Sequence, residues 1–252
     1  MVGIPLRARR KIAIGFRTNR YLNALQRVVY GIIHRIAPRR AEDWGFDHVV
    51  RHEEELTQIM GRPRPAVLRK VTDRLDDLCR AFIQRSPFVI VASHDTHGNL
   101  DVSPKGDPAG FVHVVDDWTL AIPERPGNLR ADTFRNLLTL REPRVGIIFM
   151  IPGKSETLRV SGRALIVRDQ ALREKLAANG KLPELALVVR VEEVFFHCAM
   201  SLVRSQLWNP AAWGPVDDLP SLADAMVKHG ELKMTVGEMA GIIQHDQDTR
   251  LY

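Results

Sequence analysis

Two short stretches hold most of the residues able to grip an anion. Ser103-Pro104-Lys105-Gly106-Asp107-Pro108-Ala109-Gly110 and Pro123-Glu124-Arg125-Pro126-Gly127-Asn128-Leu129-Arg130 each follow an apolar alternating run. In a meander of antiparallel strands, loops that follow alternate strands can emerge on the same side of the sheet, which would bring Lys105, Arg125 and Arg130 to one ligand. Three cations with hydroxyl and amide neighbours suit a phosphate, because ammonium and guanidinium groups make charge-assisted bonds to its oxygens. The competing reading is plainer: Gly and Pro punctuate loops everywhere, and surface loops commonly carry Lys and Arg.

The elements that must position these stretches are strands. Alternation predicts them over Phe88–Ser93, Leu100–Ser103, Phe111–Val115, Trp118–Ile122, Arg144–Ile151, Thr157–Val167 and Leu185–His197, with turns at Asp95–Asn99, Asp116-Asp117 and Pro152–Glu156. Short helices are expected over Thr133–Leu140, which must stop before Pro143, and over Gln170–Ala178. Antiparallel strands with so few helices between them suggest a small closed barrel.

Upstream, helical periodicity marks Asp47–Met60 and Ala66–Gln84. His48 and His52 fall one turn apart on the first of these, which is half a metal site at most; with Arg51 and Glu53 to Glu55 around them, a solvated face is the better reading, and no metal is expected. Downstream of the Pro-rich break Asn209–Pro220, Ser221-x-x-Asp224 and Thr235-x-x-Glu238 each read as a helix start with a reciprocal cap. The chain thus divides into a basic arm (1–40), a helical lead-in (41–86), a strand-rich body (87–210) and a helical tail (211–252).

A chain of 252 residues with 45% apolar content can bury a sizeable core. Cys79 and Cys198 cannot supply a metal tetrad or a disulfide framework, which fits a reducing, cytoplasmic setting. The net charge of +6 is unevenly spread: residues 1–40 hold nine Arg, one Lys and no acid, leaving 26 basic and 30 acidic residues in the other 212. Within the arm, Leu22, Leu25, Val29, Ile32, Ile33 and Ile36 recur at helical spacing from Arg20 to Ile36. Three readings of that basic amphipathic helix stand open: docking on the body or a partner, contact with an anionic membrane surface, or an Arg-rich targeting segment. Nucleic acid is not expected as a partner, since the arm shows no base-reading fold and the body is acidic. There is no run of eighteen apolar residues and no secretory signal pattern, so the expectation is a soluble protein.

Other chemistries fail on spacing. Gly153-Lys154-Ser155 resembles the end of a phosphate-binding loop, but the Gly it requires upstream would fall at Ile148. No Gly-x-Gly-x-x-Gly occurs, and no Ser, His and Asp stand in a nucleophile-elbow context.

Ser103-Pro104-Lys105-Gly106-Asp107-Pro108-x-Gly110-Phe111, Ile122-Pro123-x-Arg125-Pro126-Gly127-Asn128-x-Arg130, Val145-Gly146-Ile147-Ile148-Phe149 and Glu156-Thr157-Leu158-Arg159-Val160-Ser161-Gly162-Arg163-Ala164 follow one another in order. Together they resemble the flavin-binding proteins related to pyridoxamine 5'-phosphate oxidase, over roughly residues 71–210. The resemblance implies a mainly β fold with flanking helices (α+β): a six-stranded antiparallel split β-barrel, with an N-terminal helical arm and C-terminal helices. It implies a homodimer holding flavin mononucleotide (FMN) at the subunit interface. Ser103 and Lys105 would then supply one phosphate contact, and Arg125, Asn128 and Arg130 the other. Arg159 and Ser161, two apart on one strand, share a face and would either reach the isoalloxazine or line the barrel wall. Arg204 and Trp208 are candidates for the pair that reaches the flavin of the other subunit; the plainer role for Trp208 is to anchor the last turn before Pro210.

The function implied is an oxidoreductase that passes hydride or electrons between a nicotinamide and an unknown small substrate. The flavin carries the redox chemistry, and the protein supplies orientation and electrostatics, so no general base is sought. The alternative is a flavin, deazaflavin or haem binding protein on the same barrel without turnover. The residues that pyridoxamine phosphate oxidation needs for its substrate phosphate are not recognisable, so that activity is not assigned.

Overall fold

The computed structural model describes residues 44–252. The amphipathic stretch Arg20–Ile36 and the rest of the basic arm lie outside the described residues. The chain separates into two units, Met1–Arg62 and Pro63–Tyr252. Of the first, the described part contains one helix, α1 (Glu53–Met60), with Glu53, Glu54 and Glu55 in its first turn, where carboxylates favour the positive end of the helix dipole. The expected start at Asp47 is wrong: His52 is extended (φ −125°, ψ 143°) and caps the helix from outside. His48 therefore does not share a helical face with His52.

In the second unit, the expected helix over Ala66–Gln84 is two: α2 (Pro65–Arg69) and α3 (Asp77–Arg85). Long-range pairing splits them, because Thr72 exchanges both backbone hydrogen bonds with Val194, at 3.0 and 2.7 Å. α3 then restarts on its own cap, with the Asp76 carboxylate accepting from the Cys79 amide at 2.9 Å. Of the apolar stripe, Leu75, Cys79, Phe82 and Ile83 are buried, whereas Val67, Leu68, Val71 and Leu78 are exposed.

The body contains seven strands, not six. They are β1 (Phe88–His94), β2 (Leu100–Gly106), β3 (His113–Asp116), β4 (Thr119–Pro123), β5 (Arg144–Met150), β6 (Thr157–Val167) and β7 (Ala186–His197). They form one sheet in the order β2-β1-β5-β6-β7-β4-β3, antiparallel at every pair. β2 and β3 are its edges, and no pairing between them closes the sheet among the described residues. α4 (Asp132–Thr139) packs on β1 and β2, and α5 (Gln170–Lys175) links β6 to β7.

Alternation puts one face of each strand inward. Val89 and Val91, Ile147 and Phe149, Leu158 and Val160, and Leu187 and Val189 are all 2% exposed or less. Burying each such side chain stabilises the fold by about 1.5–3 kcal/mol, so the central strands dominate the energetics. In the β6–β7 pair the period breaks. Between Ser161 and Gly162 the β6–β7 register shifts, because Ser161 faces Glu193 and Gly162 faces Val191, which leaves Glu192 as the extra residue of a bulge. The close approach needs the glycine: a Cβ on Gly162 would lie 2.0 Å from the carbonyl oxygen of Arg190.

After β7 come α6 (Met200–Arg204), a 3-10 turn at Pro210–Ala212, α7 (Leu222–His229) and α8 (Val236–Thr249). Both reciprocal caps form as the sequence predicts, at Ser221 with Asp224 and at Thr235 with Glu238. α7 and α8 pack against each other. Among the described residues, no helix is long and apolar enough to cross a membrane.

Candidate functional site

β2 runs on to Gly106, so Ser103 and Lys105 stand on a strand, where the prolines around them suggest a loop. The period of two places Asp101, Ser103 and Lys105 half-buried on one face, with Leu100, Val102 and Pro104 on the other. The second stretch is a loop between β4 and α4. Leu129 and Ala131 in it adopt left-handed backbone conformations, with φ of 60° and 52°. Such conformations cost non-glycine residues on the order of 1 kcal/mol each and gather at ligand sites.

β2 and this loop face each other across a cavity of about 480 Å³, floored by α4. Ser103, Lys105, Arg125, Asn128 and Arg130 all line it, so the structure brings together the five residues singled out as a phosphate grip. It also shows what spacing did not reveal. Each cation already has a carboxylate: Lys105 Nζ donates to Glu124 Oε2 at 2.5 Å, Arg125 Nε to Asp107 Oδ2 at 2.5 Å, and Arg130 Nε to Asp132 Oδ2 at 2.6 Å.

The surroundings differ from pair to pair. Lys105 also sits 5.4 Å from the centroid of the buried Phe134 ring, a cation–π distance. Arg125 donates a second bond to the carbonyl of Leu176 at 2.9 Å, and its guanidinium lies 5.8 Å from the Tyr252 ring. The Asp107 carboxylate is 2% exposed and takes a further bond from the Tyr252 hydroxyl at 2.6 Å. That bond holds the Tyr252 proton in place and pushes its pKa above the usual phenol value. Arg130, by contrast, is largely in solvent.

The neutral groups are also committed. Ser103 Oγ donates to Asp101 Oδ2 at 2.9 Å, and the same oxygen accepts from buried Thr133 at 2.8 Å. Ser103 becomes a donor to a phosphate only by turning away from Asp101. The side-chain oxygen of Asn128 accepts from the Arg130 amide at 3.0 Å, which leaves its NH2 free to donate.

Two smaller features adjoin this cavity. On the sheet surface, Arg159, Ser161, Glu193 and Phe195 border a hollow of about 210 Å³, and Val102 borders both spaces. Arg159 and Ser161 do share a face, as their spacing predicts, and Arg159 lies 5.3 Å from the Phe195 ring centroid. Beyond the loop, Leu129, Leu182, Pro183, Leu185 and Tyr252 border an apolar space of about 420 Å³.

Arg204 and Trp208 line neither the large cavity nor the sheet hollow. Arg204 is exposed at the end of α6. Trp208 Nε1 donates to the carbonyl of Lys154 at 2.9 Å, tying the segment to the β5–β6 turn of its own chain. The residues that sequence reasoning missed are Asp101, Asp107, Glu124, Thr133 and Tyr252. Asp101 was legible in principle, standing two and four residues before Ser103 and Lys105 on one strand.

Residues 75–198 match the family model described as pyridoxamine 5'-phosphate oxidase, and this part of the chain belongs to that family. Among solved structures, HupZ of Group A Streptococcus is similar at 19% identity, with 48% of this chain and 92% of that chain covered and a TM-score of 0.38. A putative pyridoxamine 5'-phosphate oxidase from Lactobacillus delbrueckii is similar at 24% identity, covering 49% of this chain and 95% of that one, with a TM-score of 0.39. No curated protein matches the chain.

Proposed function

We propose that the chain is an FMN-binding oxidoreductase that passes hydride or electrons between a nicotinamide and a small substrate. Its working form is a homodimeric split barrel with the cofactor at the subunit interface. One observation carries this reading: Ser103, Lys105, Arg125, Asn128 and Arg130, drawn from two separate stretches, converge on one cavity of about 480 Å³. Membership of a family whose members typically bind flavin supports it.

The donor set fits a phosphate. Lys105 and Arg130 present cationic N–H groups, Asn128 a free amide NH2, and Arg125 a guanidinium held against its buried partner. When bound, the flavin supplies the hydride-accepting chemistry. Lys105 and Arg130 hold its phosphate, while Arg125 and Asp107 fix the loop that carries Asn128. Arg159 and Ser161 lie on the sheet face next to the cavity, where a ring system continuing past Val102 would rest. Arg204 and Trp208 stand outside the cavity of their own chain, so the cofactor within their reach is that of the twin subunit.

The test is direct. The protein, soaked with FMN and gel-filtered, should carry about one flavin per chain, run as a dimer and be bleached by a reduced nicotinamide. Flavin bound but never reduced marks a carrier; no flavin at micromolar concentration ends the proposal.

A further inference from the structure

Lys105, Arg125 and Arg130 line the cavity beside an equal number of carboxylates, Asp101, Glu124 and Asp132, and Asp107 stands behind Arg125. A phosphate dianion thus enters a space with no excess of positive charge. Something must move for it to be held well.

The three ion pairs are not equally movable. Asp107 is 2% exposed and pinned from both sides by Arg125 and Tyr252. Asp132 and Arg130 are two residues apart, and Arg130 is 70% exposed, so water already competes for that pair and a phosphate meets little resistance there. Lys105 is the inner cation, 14% exposed, fixed by its strand and by the Phe134 ring, and its ion partner is Glu124. The backbone of Glu124 is held by a bond to the carbonyl of Leu185 at 2.9 Å, but its side chain has three rotatable bonds. That side chain is already 30% exposed, so the carboxylate can turn from Lys105 to water.

Resting on the phosphate reading of this cavity, we infer that Glu124 is a built-in competitor for the phosphate at Lys105. Without ligand, its carboxylate neutralises the inner cation, and a bound phosphate takes its place. The exchange makes Glu124 a specificity-determining residue. A free anion gains too little to displace an intramolecular carboxylate, whereas a phosphate tethered to a flavin brings the binding energy of the ring with it. The site then rejects loose inorganic phosphate and accepts the cofactor.

The test compares wild type with Glu124→Gln and Glu124→Ala, titrated with FMN, with riboflavin, and with FMN against inorganic phosphate as competitor. Both variants should bind FMN about tenfold more tightly, the size of one charge-assisted contact, and riboflavin unchanged. Inorganic phosphate should compete at correspondingly lower concentration in the variants. FMN affinity that is equal in all three proteins, or weaker in the variants, overturns the competitor role and leaves Glu124 as the residue that orients Lys105. Absence of FMN binding in all three overturns the phosphate reading, and this inference with it.

Discussion

Arg125 and Asp107 form the most enclosed ion pair on the cavity wall: Nε to Oδ2 is 2.5 Å, and the two side chains are 16% and 2% exposed. Lys105 holds a pair of the same length with Glu124, but that carboxylate is 30% exposed. The two cations therefore answer differently to removal. An enclosed acid left without its base is costly, whereas a half-exposed one finds water.

Lys105→Ala should weaken FMN binding by about 1.5–3 kcal/mol and leave riboflavin almost unaffected, because riboflavin has no phosphate for Lys105 to hold. Arg125→Ala should lower the stability of the flavin-free protein by about 3 kcal/mol, since the buried Asp107 side chain loses its ion partner. Thermal melts beside flavin titrations separate the two. Equal loss of riboflavin and FMN in Lys105→Ala would show that Lys105 supports the fold instead.

Gly162→Ala should destabilise the sheet by about 3 kcal/mol or prevent folding, because the Arg190 carbonyl occupies the space its Cβ needs. A denaturant melt decides. A change below about 0.5 kcal/mol, the usual size of a neutral surface substitution, would mean that the bulge relaxes freely.

The two thiols should react at very different rates. Burial pushes the Cys79 thiol up to about 12, while Cys198 is exposed. A raised folded pKa favours the protonated form, so Cys79 contributes stability fully below its ordinary value of 9.0, and that contribution is lost as pH rises through about 12. At pH 8 a thiol reagent should label one site quickly in native protein and two after unfolding. Fast labelling of both in the native state would contradict the packing of α3.

Trp208→Phe removes one hydrogen bond, to Lys154, and should cost about 1 kcal/mol of stability while leaving flavin affinity unchanged. Should affinity fall instead, with the melting temperature of the flavin-free protein unaltered, the indole serves the neighbouring subunit's cofactor.

The arm, with ten positive charges and no negative one in residues 1–40, suits an anionic bilayer, where each basic residue near the surface contributes about 1 kcal/mol. Deleting it should abolish salt-sensitive sedimentation with acidic lipid vesicles and preserve flavin content and dimer mass. Aggregation or flavin loss on deletion would place the apolar stripe against the body.

Local signals were the ones the sequence displayed. The caps at Ser221 and Thr235 form because donor and acceptor lie three residues apart. The hairpins and the shared face of Arg159 and Ser161 follow from a period of two. What stayed hidden was paired across distance. Thr72 meets Val194 more than a hundred residues on and cuts a helix that periodicity joins. The carboxylates that neutralise Lys105 and Arg125 lie 19 and 18 residues away, on the opposite stretch in each case. The bulge left a trace that could have been read: Val189 and Val191 keep step, then Glu192-Glu193 delays the next inward residue to Val194.

The strand that carries Lys105 is an edge of the sheet, paired with β1 on one side only, and Pro104 in its middle has no amide hydrogen to offer a neighbour. Edges open more readily than centres, so the amides of Asp101, Val102, Ser103 and Lys105 should trade hydrogen for deuterium well before those of β5 and β6. Two of the five residues of the candidate grip, Ser103 and Lys105, are thus mounted on an edge of the sheet rather than on its stiff centre. A side chain exchanged at these two positions leaves the backbone pairing of β5 with β6 untouched.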